Sequence, residues 1–404
     1  MMKYSGLPEP KASAKGKKGL NKYKNTRVMT PVKIIVLVLL SMLLLFLLVV
    51  YIRLIDPMNV FRPSAEEDPD LKGFWDEING GENPISTDRD KFTFLIAGLD
   101  VDGTHTDALM IALLNTKENT LSVLNIPRDT LVSIKTKEFS FWGKITNVYH
   151  NGLSDAKRNG FKEEELSEKS IGYLKGIIQY TFGIPIDFHI FINLQGVKTL
   201  VDEIDGVWYD VPIRMKYTDP YQNLYIDLQP GYQLLDGDKA EQLIRFRKAD
   251  KGYPEYSSVG ELYGTTARLN TQQKFLTAIL KKILDDLSIK TISSLYSVGS
   301  KYMITNLPAT DMLWFVPKMT NIKIENVRFH AVPSVYLDEH GYNHDIVYKK
   351  EAMAIINKYY NMYTKEIPES SFNIDEGGRM YVPANPPNYD IYSIDGVTAD
   401  KFGG

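Results

Sequence analysis

The chain has 404 residues, 44% of them hydrophobic, a net charge of −3 and no cysteine. This length can bury a large core without covalent staples, and the lack of cysteine excludes disulfides, thiol nucleophiles and thiolate metal sites. Charge is uneven: residues 1–33 hold nine Lys/Arg against the single Glu9, or +8, which leaves −11 for the remainder. So acidic a body repels a polyanion, and no basic helix-turn-helix pattern offsets it, so no nucleic-acid partner is expected.

Residues 1–33 read as a disordered basic leader. Residues 34–52 are apolar apart from Ser41 and Tyr51, long enough to cross a hydrocarbon core about 30 Å thick. The run ends in Tyr51-Ile52-Arg53 with no small-residue cleavage site, which predicts an uncleaved signal anchor. The basic side stays cytoplasmic, so the expectation is a single-pass protein of the cell membrane, with the lipid bilayer as a partner and everything beyond outside. Residues 53–89 carry Pro57, Pro63, Pro69, Pro84 and a Gly80-Gly81 pair, and read as an extracellular linker.

Three apolar runs follow, Phe92–Gly98, Ala108–Leu114 and Leu121–Ile126, each the length of a buried strand, with a polar hairpin loop at 115–119. As an antiparallel meander they bring Asp100, Asp102, His105, Asp107, Arg128 and Asp129 to one sheet edge. Helical spacing predicts helices over Leu166–Phe182, Gln195–Ile204, Thr265–Leu287 and Lys349–Met362. Strands are predicted over Asp187–Ile192, Val207–Val211 and Val327–Val332. The pattern defines an α/β domain over 90–364 (core 90–290), a mixed central sheet with an antiparallel meander covered by helices on both faces. Residues 365–404, rich in Pro, Gly, Asn and Asp, read as a flexible tail.

Two basic clusters stand out. Arg245-Phe246-Arg247-Lys248 follows a short helical segment, and an extended backbone there puts both arginines on one face. Adjacent guanidiniums repel unless an anion lies between them, and their planar fork suits phosphate. Arg268 and Gln272 share a face at the start of the long helix, which Thr265 or Thr266 can cap; a helix N-terminus there favours an anion. A competing motif is Asp100-Val101-Asp102-Gly103-Thr104, which matches the DxDGT opening of haloacid-dehalogenase phosphatases with Asp100 as nucleophile. Such enzymes continue into a helix-bearing segment, whereas a second strand is predicted here. Gly98 and Gly103 have P-loop spacing, but Thr104-His105 replaces the required Lys-Ser/Thr.

Read in order, the motifs are Gly98-Leu99-Asp100, Thr106-Asp107-Ala108, Ile126-Pro127-Arg128-Asp129-Thr130 and Lys144-Ile145-Thr146-Asn147. Gly183-Ile184-Pro185-Ile186-Asp187-Phe188, Asp236-Gly237 leading to Arg245-Phe246-Arg247, and Arg268 before Gln272-Gln273-Lys274-Phe275 complete the series. Behind an N-terminal anchor this series resembles the LytR-CpsA-Psr family of cell-envelope phosphotransferases. His105 stands where the family has an arginine, Thr271 replaces a second one, and the loop Lys248–Thr266 is longer than usual.

The resemblance implies transfer of a phospho-linked glycopolymer, teichoic-acid- or capsule-like, from a polyprenyl-pyrophosphate carrier to peptidoglycan. Arg128, Arg245, Arg247, Arg268 and Gln272, with Lys144 and His105, would hold the pyrophosphate. Asp100 and Asp107 would hold Mg²⁺, and one of Asp100, Asp107 and Asp129 would accept the acceptor's proton. A haloacid-dehalogenase-like phosphatase using Asp100 and a non-catalytic polyprenyl-phosphate-binding regulator are the alternatives.

Overall fold

Phe92, Leu95 and Ala97 are all buried along β1 (Lys91–Leu99), although successive side chains of a strand point to opposite faces. A strand buried on both sides belongs in the middle of a layered sheet, and β1 lies there. In the computed structural model, which describes Met42 and residues 87–377 except 101, 138, 255–263, 287–288, 308 and 340–341, it is one of six strands. Apart from Met42 and residues 87–89, the expected leader, membrane span and linker lie outside the described residues, as does the tail beyond 377. Among the described residues no helix is long and apolar enough to cross a membrane.

β1 pairs antiparallel with β2 (Thr106–Asn115), and β2 with β3 (Thr120–Asn125), so the expected meander forms. Its hairpin closes on Asn115, whose side-chain oxygen accepts the N–H groups of Lys117 and Glu118. β6 (Phe188–Ile192) and β12 (Val327–Ala331) add parallel to β1 and β3, and β11 (Met303–Thr305) adds antiparallel to β6. The order is β11-β6-β1-β2-β3-β12, a mixed sheet.

The two faces fill differently. Leu95, Leu109, Ile111 and Leu124 pack with α1 (Thr146–Arg158), α2 (Glu163–Phe182) and α8 (Lys349–Tyr359). Phe92, Ala112, Leu114 and Val123 pack with α7 (Ala309–Met319), where Trp314 and Phe315 meet Phe92 edge-on at 5.4 and 5.2 Å. The hairpins β4–β5 (Leu131–Lys135, Ser140–Lys144) and β13–β14 (Ser334–Glu339, Tyr342–Val347) attach beside the sheet.

A second apolar cluster lies under α3 (Leu194–Glu203) and two ribbons. One ribbon pairs β7 (Val207–Val211) with β10 (Gly231–Leu235), the other β8 (Met215–Asp219) with β9 (Leu224–Leu228). α4 (Gly237–Arg245) and α5 (Gly264–Asp285) close it through Leu243, Phe246, Phe275 and Ile279. Two expectations need correction. Thr265 and Thr266 lie within the long helix, described over Gly264–Asp285, rather than at its cap. Nor is 365–377 loose: Ile367, Phe372 and Ile374 are 2%, 2% and 8% exposed. These three apolar anchors in a polar stretch outweigh its loop-like composition, and Ile367 packs over Gly183, the left-handed cap of α2.

Candidate active site

β1 ends in a bulge at Gly98/Leu99, and the loop to β2 folds back over its own first residue. Asp100 Oδ1 accepts the N–H groups of Thr104 and His105 at 2.8 and 3.1 Å, and Gly103 supplies the left-handed turn (φ 70°). Burial opposes the charged form of Asp100, but the N–H groups of His105 and Thr104 and the His105 ring outweigh it. Together they hold the carboxyl below its ordinary value. His105 turns onto Asp100, with Nδ1 3.1 Å from Oδ2 and its ring stacked on His150 at 4.6 Å. The loop opens β2 rather than a helix, which removes the structural context for the phosphatase reading of Asp100.

Asp107, near the start of β2, is held by two arginines. Arg128 Nη1 donates to Oδ1, and Arg247 Nη2 donates to Oδ2 at 3.1 Å. Behind Arg128 the charges alternate inward: its Nε lies 3.5 Å from Asp129 Oδ1, which Lys144 Nζ approaches at 3.4 Å. Asp345 on β14 sits next to this row, its N–H donating to the Asp129 carbonyl at 2.8 Å. Burial pushes the Asp345 carboxyl up to about 7, with the charge of Asp129 acting in the same direction and Lys144 against it. Arg128, Asp129 and Lys144 thus form a braced row behind Asp107, not part of the cavity wall.

The opposite wall is built by α4. Asp236 caps it by accepting the N–H of Lys239 at 2.9 Å. Gly237 seats it against α3: its N–H donates to Asp202 Oδ1 at 2.7 Å, and a Cβ there would lie 2.5 Å from the Lys198 carbonyl. The helix runs one residue further than expected, so Arg245 is helical, while Phe246 turns extended and is fully buried. Both arginines still reach the cavity. In place of one shared anion, each has its own carboxylate: Arg245 pairs with Glu241 at 2.9 Å and Arg247 with Asp107. Gln272 on α5 donates to the Ile244 carbonyl at 3.1 Å and faces the same space. Arg268 lies one helical turn before it, with its side chain outside the described residues. Thr271, where the family has an arginine, is buried away from this wall.

Between the walls lies a cavity of about 570 Å³. Asp100, Asp102 and Asp107 edge one side; Arg245, Arg247, Lys248 and Gln272 edge the other; Leu99, Ala108, Ile192, Leu194, Val197, Leu224 and Ile244 make it apolar below. Sequence reasoning missed Tyr217, Asp219 and Gln222, which also line it from the β8–β9 ribbon. Their one signal was the turn-forming Asp219-Pro220 pair. No group of three or more His, Asp or Glu among the described residues forms a metal cage. Two carboxylates on one cavity, Asp100 and Asp107, do fit Mg²⁺, which takes one or two carboxylates and completes its shell with water and substrate phosphate.

A cavity that is cationic on one wall, acidic on the other and apolar beneath suits a ligand with an anionic head and an apolar body. The profile of the LytR_cpsA_psr family matches residues 66–361, and the chain belongs to that family. It is 24% identical over 256 residues to the polyisoprenyl-teichoic acid–peptidoglycan teichoic acid transferase TagV of Bacillus subtilis (strain 168), covering 62% of this chain and 58% of TagV. Among solved structures, protein gbs0355 from Streptococcus agalactiae superimposes with a TM-score of 0.53 at 17% identity, covering 76% of this chain and 93% of that one. A structure of TagT bound to LIIa-WTA gives 0.50 at 21%, covering 68% and 92%. These likenesses establish a shared α/β fold with a central mixed sheet.

Proposed function

We propose that the chain transfers a phospho-linked glycopolymer from a polyprenyl-pyrophosphate carrier to a hydroxyl of peptidoglycan. One observation carries this reading: Arg245, Arg247, Lys248 and Gln272 face Asp100 and Asp107 across one cavity with an apolar floor. The named activity of TagV supports it. In the reaction the acceptor oxygen bonds to the phosphorus that bears the glycan. The bond from that phosphorus to the bridging oxygen breaks, and polyprenyl phosphate leaves.

The cationic wall neutralises charge that moves onto the leaving phosphate, and it does so in a preformed geometry. Arg247 and Arg128 give Asp107 a fixed orientation. Of the three candidate bases only Asp100 and Asp107 line the cavity, so the acceptor's proton goes to one of these two. Mg²⁺ held by Asp100 and Asp107 would add positive charge beside the phosphates. The apolar residues Leu99, Ile192 and Val197 would receive the first isoprene units.

The domain acts outside the cell, tethered by residues 34–52 next to the bilayer that carries its donor. A reporter fused after Gly404 is expected to be active only outside, and cytoplasmic activity would overturn the placement. To test the reaction, the full-length chain is incubated with a short-chain polyprenyl-pyrophosphate disaccharide and peptidoglycan oligomers, with products read by mass spectrometry. A phosphodiester-linked oligomer supports the transfer; free sugar phosphate alone, or no product with ligand bound, overturns it.

A further inference from the structure

The β8–β9 ribbon faces two ways. Tyr217, Asp219 and Leu224 line the cavity, whereas the cross-strand pair Thr218–Tyr225 is exposed on the other face. The turn that joins the strands is locked from within. Asp219 Oδ1 accepts the N–H groups of Tyr221 and Gln222 at 3.1 and 3.2 Å, its Oδ2 accepts Gln222 Nε2 at 3.0 Å, and Asn223 closes the turn at φ 47°. Gln222 Oε1 in turn accepts from Arg245 Nη2 at 3.3 Å, so the turn is pinned to the arginine of the opposing wall.

Tyr221 sits between the two cavity-lining residues of that turn, yet its side chain is fully exposed. A rigid turn that holds an aromatic ring entirely in water gives that ring no part in packing. We propose that Tyr221 is a sugar subsite, on which the donor's glycan stacks at the sugar next to the phosphate taken by Arg245. This inference rests on the transferase reading above.

The chemistry selects a sugar over the donor's other parts. The isoprenoid has the apolar floor, and the phosphates have the cations. What leaves the mouth is the group on the far side of the phosphate. A pyranose presents a face of C–H groups ringed by hydroxyls, which suits a tyrosine that is apolar over its ring and polar at its tip. Tyr253, 42% exposed beside the ribbon, offers a further ring for a longer glycan. The Tyr253 segment is tied to β8 by Asp250, whose N–H donates to the Lys216 carbonyl and whose Oδ1 accepts the Thr218 N–H at 3.2 Å.

The test compares binding of two probes to the full-length chain: a short-chain polyprenyl pyrophosphate bearing a disaccharide, and the same lipid pyrophosphate with no sugar. Tyr221→Ala is expected to weaken the sugar-bearing probe about fivefold to tenfold and leave the bare pyrophosphate unchanged, with Tyr221→Phe close to wild type. Unchanged binding of both probes in Tyr221→Ala overturns the subsite while the transferase reading stands. Equal weakening of both assigns the residue to the phosphate end and also overturns it. If wild type binds neither probe, the transferase reading fails and the subsite with it.

Discussion

Arg247 and Asp107, 140 positions apart, meet at 3.1 Å across the mouth of the cavity. Their side chains are 56% and 36% exposed, so the pair contributes little to stability, about 1 kcal/mol or less. In the transferase reading proposed above it is a closed circuit that an incoming phosphate would open. Asp107→Asn is expected to lower transfer about a hundredfold while moving the thermal midpoint little. Arg247→Ala should weaken donor binding about tenfold, with Lys a partial rescue, because a point charge lacks the guanidinium fork. Transfer kinetics alongside calorimetric melting separate these effects; a large fall in melting temperature for Asp107→Asn would make the pair structural.

The metal assignment rests on two carboxylates, so it is open to removal from both sides. EDTA is expected to abolish transfer by wild type and added Mg²⁺ to restore it, whereas Asp100→Ala stays inactive at any Mg²⁺ concentration. Full activity of the wild type in EDTA would remove the ion from the mechanism.

Phe246 separates the two arginines by plugging the second core with no exposed surface. Phe246→Ala is expected to cost about 3–5 kcal/mol in urea unfolding, and Phe246→Leu about 1 kcal/mol. Donor binding should fall with the first and survive the second, since the residue acts through the spacing of its neighbours.

Asp345 gives a pH signature. Its folded carboxyl, raised to about 7, holds a proton that the unfolded chain releases near its ordinary value of 3.8. The folded state therefore binds more protons in this window. The associated stability is full below about pH 4 and is lost as pH rises toward and through 7, by on the order of 4 kcal/mol. Asp345→Asn mimics the protonated form, so wild type minus variant should fall across that range in denaturant unfolding. Superimposed profiles would show that burial does not raise this carboxyl in the folded chain.

Much of the site's frame was legible because strand periodicity reports faces and turn residues report edges. Near-continuous apolar runs of strand length at Phe92–Gly98 and beyond it sufficed to bring Asp100 and Asp107 to one end of a sheet. The pairing of opposite charges was not legible. No local pattern shows that Arg247 answers Asp107, or that Lys144 approaches Asp129, because such partners are chosen by tertiary approach. The contact of His105 with Asp100, made within its own loop, was not legible either. Composition misled at 365–377, where three apolar side chains decide the outcome and eight polar ones do not.

The tight seat at Gly237 makes the whole of α4 a lever. Its nine residues span roughly 13 Å, with the fulcrum pressed against Lys198 and Asp202 and the load, Arg245, at the other tip. A side chain wedged under the fulcrum would swing the guanidinium without touching the cavity. The position of the Arg245 guanidinium can therefore be retuned from the α3–α4 seam, in residues no inspection of the cavity wall would single out.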